Sequence, residues 1–419
     1  MGCCFQMERK CDFIPLLRGC QFPAENLIKW NGETYCEFHL PLEAKVKWDL
    51  GKIDGFNAKI KNFFTAADNR VIDLSGVIFP GFVEFEKTHF PDVSFQGATF
   101  SGEANFQGAS FSGNAIFFRA SFGRHASFEG ASFRRLVGFG GAIFSRHARF
   151  QGASFSEEAS FKGASFRNIA IFYGASFSYY VSFKGATFND KADFSGMNND
   201  GTDSFSFSAF DDAKFSGGAD FSNRTFNKAT SFKDATFAVA PKFHNCVLHP
   251  DTTFPEQSAF QDTTSPHAAD AYRTLKQAMA GIHAHHRQQM FYALEMKSRR
   301  SQPETPWMEK LLSRLYEETT DYGQNLLRPL GWLMLLGYGF WLGYFMVNHD
   351  HPGAAIGFSV AQVVRPFAVW GGVEPNSFAA TLLSQSPGIV LTLATLQSIL
   401  SSALIILFLL AVRRRFKLQ

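Results

Sequence analysis

At 419 residues the chain is too long for a single compact core, so two or more domains are expected. Its formal net charge of +3 gives no bias toward a polyanionic partner, and 50 Phe against 10 Tyr and 6 Trp require a repeat that places them. Five of the six Cys fall within the first 36 residues, and no apolar stretch there resembles a signal peptide. That combination predicts a cytosolic N-terminus with reduced thiols, and metal binding in place of a disulfide framework.

The first predicted element is a cysteine-rich module over residues 1–50. Its segment CDFIPLLRGCQFPAENLIKWNGETYCEFHLP, from Cys11 to Pro41, offers Cys11, Cys20, Cys36 and His39. Three thiolates and one imidazole suit a closed, structural zinc site, with Cys36-x-x-His39 as a tight chelating pair. Cys3 or Cys4 could replace one of the first two, and reduced Cys packed in a small core is the competing reading.

From Asp73 to Phe260 a phenylalanine ladder sets the pattern, clearest in FQGASFSGNAIFFRASFGRHASFEGASF, Phe106 to Phe133. Phe recurs at gaps of five and six, an eleven-residue period made of two unequal halves. Each half holds a small–x–Phe unit such as Ala109-Ser110-Phe111, which alternation folds as a very short strand with Ala and Phe inward and a polar residue outward. Two or three residues rich in Gly, Asn and charge separate the units and read as corners. Frequent Gly and the five–six beat exclude a helix. Four units make a square coil of 22 residues, and about eight coils stacked at about 4.8 Å give a rod on the order of 40 Å long. The ladder reads through Asn199 in register, since Phe205 stands eleven residues after Phe194, with one residue dropped near Phe210 and Phe215.

These units resemble the pentapeptide-repeat family, whose motif puts a small residue two places before a central Phe or Leu. The resemblance implies a mainly β fold, a right-handed quadrilateral β-helix, here with an extra residue widening two corners per coil. YCxFHxP, at Tyr35 to Pro41, also resembles the small cysteine-rich module found ahead of such repeats, which implies metal. Some relatives mimic DNA with an acidic surface, but residues 73–260 hold 18 acidic against 16 basic side chains, so a nucleic-acid partner or mimic is not expected. The charge is uneven: nine basic against three acidic residues from Arg119 to Lys184, then two against seven from Asp190 to Asp220. A polarised rod can dock partners. NDGTD, Asn199 to Asp203, lacks the ligand spacing and terminal Glu of a calcium loop.

Residues 266–326 predict an amphipathic helical neck: two helices broken near Gly281 or His286, then one from Trp307 to about Tyr322. His283, His285 and His286 read as a solvated helix face. Leu330 to Val347 and Ile389 to Val412 are uncharged runs of 18 and 24 residues, long enough to span a bilayer. Lys310, Arg314 and Arg328 precede the first run, Arg413, Arg414, Arg415 and Lys417 follow the second, and the 349–388 loop holds only Arg365. The positive-inside rule then places both termini, including the basic tail 413–419, in the cytoplasm of what reads as a bacterial inner membrane.

Two spans joined by a partly apolar loop are also the plan of a pore, with Trp370, Gly371 and Gly372 at a re-entrant turn and Gln397, Ser398, Ser401 and Ser402 lining it. TLQSILSSALIILFLLAVRRRFKLQ and YEETTDYGQNLLRPLGW resemble the spans of two-span ion-channel-like modules fused to pentapeptide repeats, but no TVGYG-type filter is present. No nucleophile–base pair, phosphate loop or open metal site marks an enzyme. The expected function is a membrane-anchored cytoplasmic scaffold whose solenoid binds an unidentified protein partner. A homo-oligomeric two-span channel gated by the solenoid is the alternative.

Overall fold

The computed structural model of the chain describes residues 27–66, 71–197, 204–347, 352–367, 369 and 377–416. The chain divides into two compact units, Met1–Phe291 and Tyr292–Gln419.

The first unit is built on the predicted solenoid. One coil runs through strands Ser110–Phe111, Ala115–Ile116, Ser121–Phe122 and Ala126–Ser127, referred to below as faces one to four. Each strand pairs in parallel with its equivalent one coil on, Phe111 with Phe133 and Phe122 with Phe144, which is the 22-residue period. Face three extends through eight strands and face four through seven, while faces one and two merge into a single sheet. The first coil is one residue shorter, with Ile78 over Thr99.

Inside, the Phe rings form four columns. Phe111 stacks on Phe133 at 4.6 Å, Phe117 on Phe139 at 4.7 Å, Phe122 on Phe144 at 4.8 Å and Phe128 on Phe150 at 4.9 Å, all within 8° of parallel. Neighbouring columns meet edge-on, as Phe117 meets Phe128 at 84°. The strand spacing thus matches the distance at which aromatic rings pack favourably. Alanines fill the remaining interior, and both residue types are buried along the ladder. The second residue of each two-residue corner is left-handed, with φ of +62° to +63° at Gly108, Gly130 and Gly152. Only glycine adopts that φ without penalty; Arg119, Asp212 and Asn223 occupy equivalent corners at +55° to +59°.

At Asn199 the ladder departs from the sequence reading. Phe177 stacks on Phe205 at 5.1 Å and Phe194 on Phe221 at 5.1 Å. Phe205 is therefore the next face after Phe194 and not the second after it, so this coil is longer than its neighbours; Asn199 itself lies outside the described residues. The single dropped residue falls where the register between Ser176–Ser182 and Ser204–Ala209 shifts. These two strands run on through a corner, and that continuity joins faces one and two into one sheet.

Arg224 marks the same break. It occupies the small-residue position two before Phe226, yet is fully buried. Its Nε donates to Phe194 O at 2.5 Å, and its two terminal nitrogens to Ala175 O at 2.6 Å and Phe172 O at 2.9 Å. In the preceding coils the carbonyls of Ala131 and Ala153 accept strand N–H groups, from Ser154 and Ser176. The guanidinium takes over that role at Ala175.

Both solenoid ends are covered, as stacked repeats require. At the start, a hairpin of β1 (Ile28–Trp30) and β2 (Glu33–Tyr35) leads to helices α1 (Leu42–Lys45) and α2 (Leu50–Ala66). Phe56 of α2 stands edge-on to Phe79 at 5.9 Å. Buried Lys45 donates to Ile78 O at 2.7 Å and Phe38 O at 3.1 Å and lies over the Phe56 ring at 4.5 Å; burial pushes its ammonium pKa down to about 7. At the other end, helix α3 (Ala268–Gly281) sets Tyr272 edge-on to Phe260 at 6.0 Å, and Phe291 of α4 (His285–Ser301) meets Phe254 at 5.5 Å. Tyr272 donates to Asp262 O at 2.7 Å.

The second unit contains α5 (Trp307–Thr320), α6 (Leu327–Val347), α7 (Pro352–Val364), α8 (Phe378–Gln385) and α9 (Pro387–Phe416). Its Tyr344, Phe358, Leu382, Val390 and Ala394 share one apolar cluster. Helices α6 and α9 contain the two predicted spans. At 1.5 Å per residue, the 21 residues of α6 reach about 32 Å, enough to cross a hydrocarbon layer of about 30 Å. The two helices are long and apolar enough to cross a membrane.

Candidate functional site

Three places in the described residues bear on function. The first is the N-terminal pair. Cys36 and His39 are both buried, with Cys36 Sγ at 3.0 Å from His39 Nδ1. His39 Nε2 lies 2.9 Å from Ser75 O, so Nε2–H donates to that carbonyl and the Nδ1 lone pair faces the thiol. A histidine fixed through one nitrogen by a carbonyl, with the other beside a thiol, fits a metal ligand. Burial lowers the His39 pKa, which keeps the imidazole neutral. Cys11 and Cys20 lie outside the described residues, as do Cys3 and Cys4. Among the described residues no three His, Cys, Asp or Glu side chains gather as a metal cluster, and this holds for His283, His285 and His286.

The second place is the outer surface of face four and the three-residue corner before it. The face-four column runs Ser127, Arg149, Ile171, Asp193 and Asp220, each paired in parallel with the next. On the corner beside it, the exposed side chains of Arg124, Arg146 and Arg167 are followed by Asp190. The rings of His125 and His147 stack there at 4.8 Å. Desolvation and then the neighbouring His125 and Arg149 lower the His147 pKa, so it is neutral at pH 7. Arg124, Arg146, Arg149 and Arg167 are in none of the ion pairs found among the described residues; Asp193 pairs with Lys191 at 2.9 Å. Of the nine basic residues from Arg119 to Lys184 these four arginines lie on this side of the coil, while Arg134 and Arg135 occupy another corner.

The third place is the interior of the second unit. Gln397 Nε2 donates to Ser359 O and lies 2.9 Å from Ser359 Oγ, while Gln397 Oε1 accepts from Tyr344 OH at 2.9 Å. Ser359 Oγ donates to Gly337 O at 2.7 Å. Ser398 Oγ donates to Ala394 O at 2.7 Å and accepts the Phe367 N–H at 3.0 Å. Gln397, Ser398 and Ser401 are fully buried, and Ser402 is half-buried. This network ties α6, α7 and α9 together through side chains that the sequence offers as pore-lining. The partners in α7, Ser359 and Gln362, carry no sequence signal of their own. Trp370, Gly371 and Gly372 lie outside the described residues, as does the Asn199–Asp203 segment.

A family model described as pentapeptide repeats, in nine copies, matches residues 69–110 and 150–198. No curated protein and no solved structure matches the chain. The chain carries pentapeptide repeats wound into a β-solenoid of about 22-residue coils, followed by helices of which two are long and apolar enough to cross a membrane.

Proposed function

We propose that this chain is a membrane-anchored, non-catalytic scaffold whose solenoid binds a protein partner on the cytoplasmic side of a bacterial inner membrane. The carrying observation is the division of labour among side chains. The solenoid interior takes up the Phe and Ala ladder and leaves a charged outer band available for recognition. Anchoring by residues 330–412 is supported by the exposure of the spans within their own unit, with only 6% of the first span and 28% of the second buried; a soluble core helix would be mostly covered. The anchor reading is preferred to an ion channel because Gln397 and Ser398 are engaged in hydrogen bonds inside the chain.

Alkaline carbonate extraction and planar-bilayer recording of the full-length protein test this reading together. Retention in the membrane with electrically silent bilayers is expected. Release into the soluble fraction overturns the anchor, and discrete single-channel currents overturn the scaffold in favour of the channel. Within the same proposal, Cys36 and His39 hold a structural zinc together with Cys11 and Cys20. Bound zinc would close the module covalently and supply no reaction. One zinc per purified chain is expected, lost in Cys36→Ser; a metal-free native protein overturns the assignment.

A further inference from the structure

Helix α5 keeps one face inside its own unit and leaves the other bare. On the inner face Ser313 and Thr320 are buried, with the Ser313 and Tyr322 hydroxyls 2.9 Å apart. Glu317 pairs there with Lys297 at 3.0 Å and Arg300 at 2.6 Å. On the outer face Trp307, Met308, Leu311, Leu312 and Leu315 are 47–72% exposed. At about 100° per residue these five cover an arc of about 140°, the stripe that an amphipathic helix ordinarily buries.

We propose that this face rests on the lipid bilayer that α6 enters, seated where acyl chains meet headgroups, with Lys310 and Arg314 against anionic headgroups. The proposal rests on the reading of α6 and α9 as a membrane anchor and adds to it an attachment lying along the surface.

The end of α5 is tied to the entry of α6. Trp332 Nε1 donates to Glu318 O and a terminal nitrogen of Arg328 to Glu317 O, both at 3.2 Å. Tryptophan and arginine at the start of an apolar span mark the membrane–water boundary, so α5 ends at that level. Exposed apolar surface resumes on α6 itself at Leu327, Leu330 and Met334. Arg314 and Lys310 follow the edge of the arc beside Trp307, where their stems can lie along apolar chains while their charges reach phosphates. The acidic side chains leave this seat clear. Glu309 stands about 160° from Leu311, and Glu317 is held on the inner face by Lys297 and Arg300. Glu318 and Thr319 enter the arc only in the last turn, at the level of Trp332. The apolar seat therefore runs from Trp307 to Leu315, about 14 Å.

The test uses full-length protein reconstituted in vesicles of phosphatidylglycerol and phosphatidylcholine, some brominated near the headgroup end of the acyl chains. The fluorescence of Trp307 is taken as the difference from Trp307→Phe. Leu311→Trp and Glu309→Trp, each made in Trp307→Phe, read the two faces. Quenching by brominated lipid is expected to be about threefold stronger at positions 307 and 311 than at 309, and aqueous acrylamide to reverse the order. Positions 309, 311 and 315 are exposed, so substitutions there remove no packing from the unit. Leu311→Glu with Leu315→Glu should bring lipid quenching of Trp307 down to the level at 309, with resistance to carbonate extraction unchanged. Phosphatidylglycerol should strengthen the quenching of Trp307 over phosphatidylcholine alone, and Lys310→Gln with Arg314→Gln should abolish that gain.

Equal lipid quenching at 309 and 311 in a carbonate-resistant protein overturns the surface seat and leaves the anchor standing. Protection of position 311 from both quenchers also overturns it, because the face is then covered by a second copy or another protein. A phosphatidylglycerol gain that survives Lys310→Gln with Arg314→Gln overturns the assignment of headgroups to these two side chains. Release of the unsubstituted protein by carbonate removes the anchor and the surface seat together.

Discussion

Arg224 gives the sharpest test of how the solenoid passes its irregular coil. Replacing it by Met keeps most of the buried volume and removes every donor. Phe172 O retains the Ala175 N–H at 3.0 Å, whereas Ala175 O and Phe194 O lose the guanidinium nitrogens at 2.6 and 2.5 Å. A buried acceptor left without its partner costs about 1–3 kcal/mol, so the two together cost about 4 kcal/mol. The stacking of the guanidinium over Phe205, at 5.1 Å, is lost as well. For a unit of this size, each kcal/mol corresponds to roughly 2–4 °C, which gives a fall in Tm of roughly 8–16 °C. Melting of the full-length protein in detergent, followed by the β-sheet circular dichroism signal, measures it, and hydrogen exchange should show lost protection in the coils around residues 172–226. Arg224→Lys should recover part of the loss, because an ammonium donates but lacks the planar fork. If Arg224→Met melts within about 1 °C of the unsubstituted protein, the guanidinium is not what bridges the break, and the reasoning fails.

Two further outcomes follow from buried polar groups. Lys45 has its pKa lowered to about 7, mainly by burial, from its ordinary 10.5. Between those values the unfolded chain binds the proton and the folded one does not, so stability rises with pH from about 7 towards 10, by up to about 1.4 kcal/mol per pH unit. Denaturant midpoints across that window measure the slope, and Lys45→Met should flatten it; an unchanged slope in that variant refutes the assignment. In the second unit, Gln397→Leu removes the hydrogen bonds to Tyr344 and Ser359. At about 0.6 kcal/mol for each of three interhelical bonds, it should lower resistance to unfolding in dodecyl sulfate by about 2 kcal/mol. An unmoved dodecyl sulfate midpoint would show the network to be dispensable.

The regular coils were legible because a single residue type recurs at a fixed beat and both corner lengths carry their own chemistry: Gly108 and Gly130 announce a left-handed residue in the sequence itself. The long coil was not, because Phe194 and Phe205 are eleven residues apart whether one face or two lie between them. Only the stacking of Phe205 on Phe177 decides it. Helix α2 carries Ile53, Phe56 and Ile60 at helical spacing, but Gly51 and Gly55 weaken the local signal, and its role depends on an uncovered ring, Phe79, that it meets only in the fold. Likewise a Gln and three Ser in an apolar span announce that polar groups must find partners. Whether those partners lie across a pore or in α7 depends on helix rotation, which periodicity in a nearly uniform apolar segment does not fix.

The even stacking of the Phe columns makes the solenoid a graduated length. Each regular coil presents the next with the same four rings and nearly the same backbone ladder, so the terminal helices cannot sense how many regular coils separate them. Adding or removing any multiple of 22 residues would move the two caps apart or together in steps of about 4.8 Å and leave their own contacts unaltered. Length in this molecule is a digital quantity, adjustable without redesign of either end.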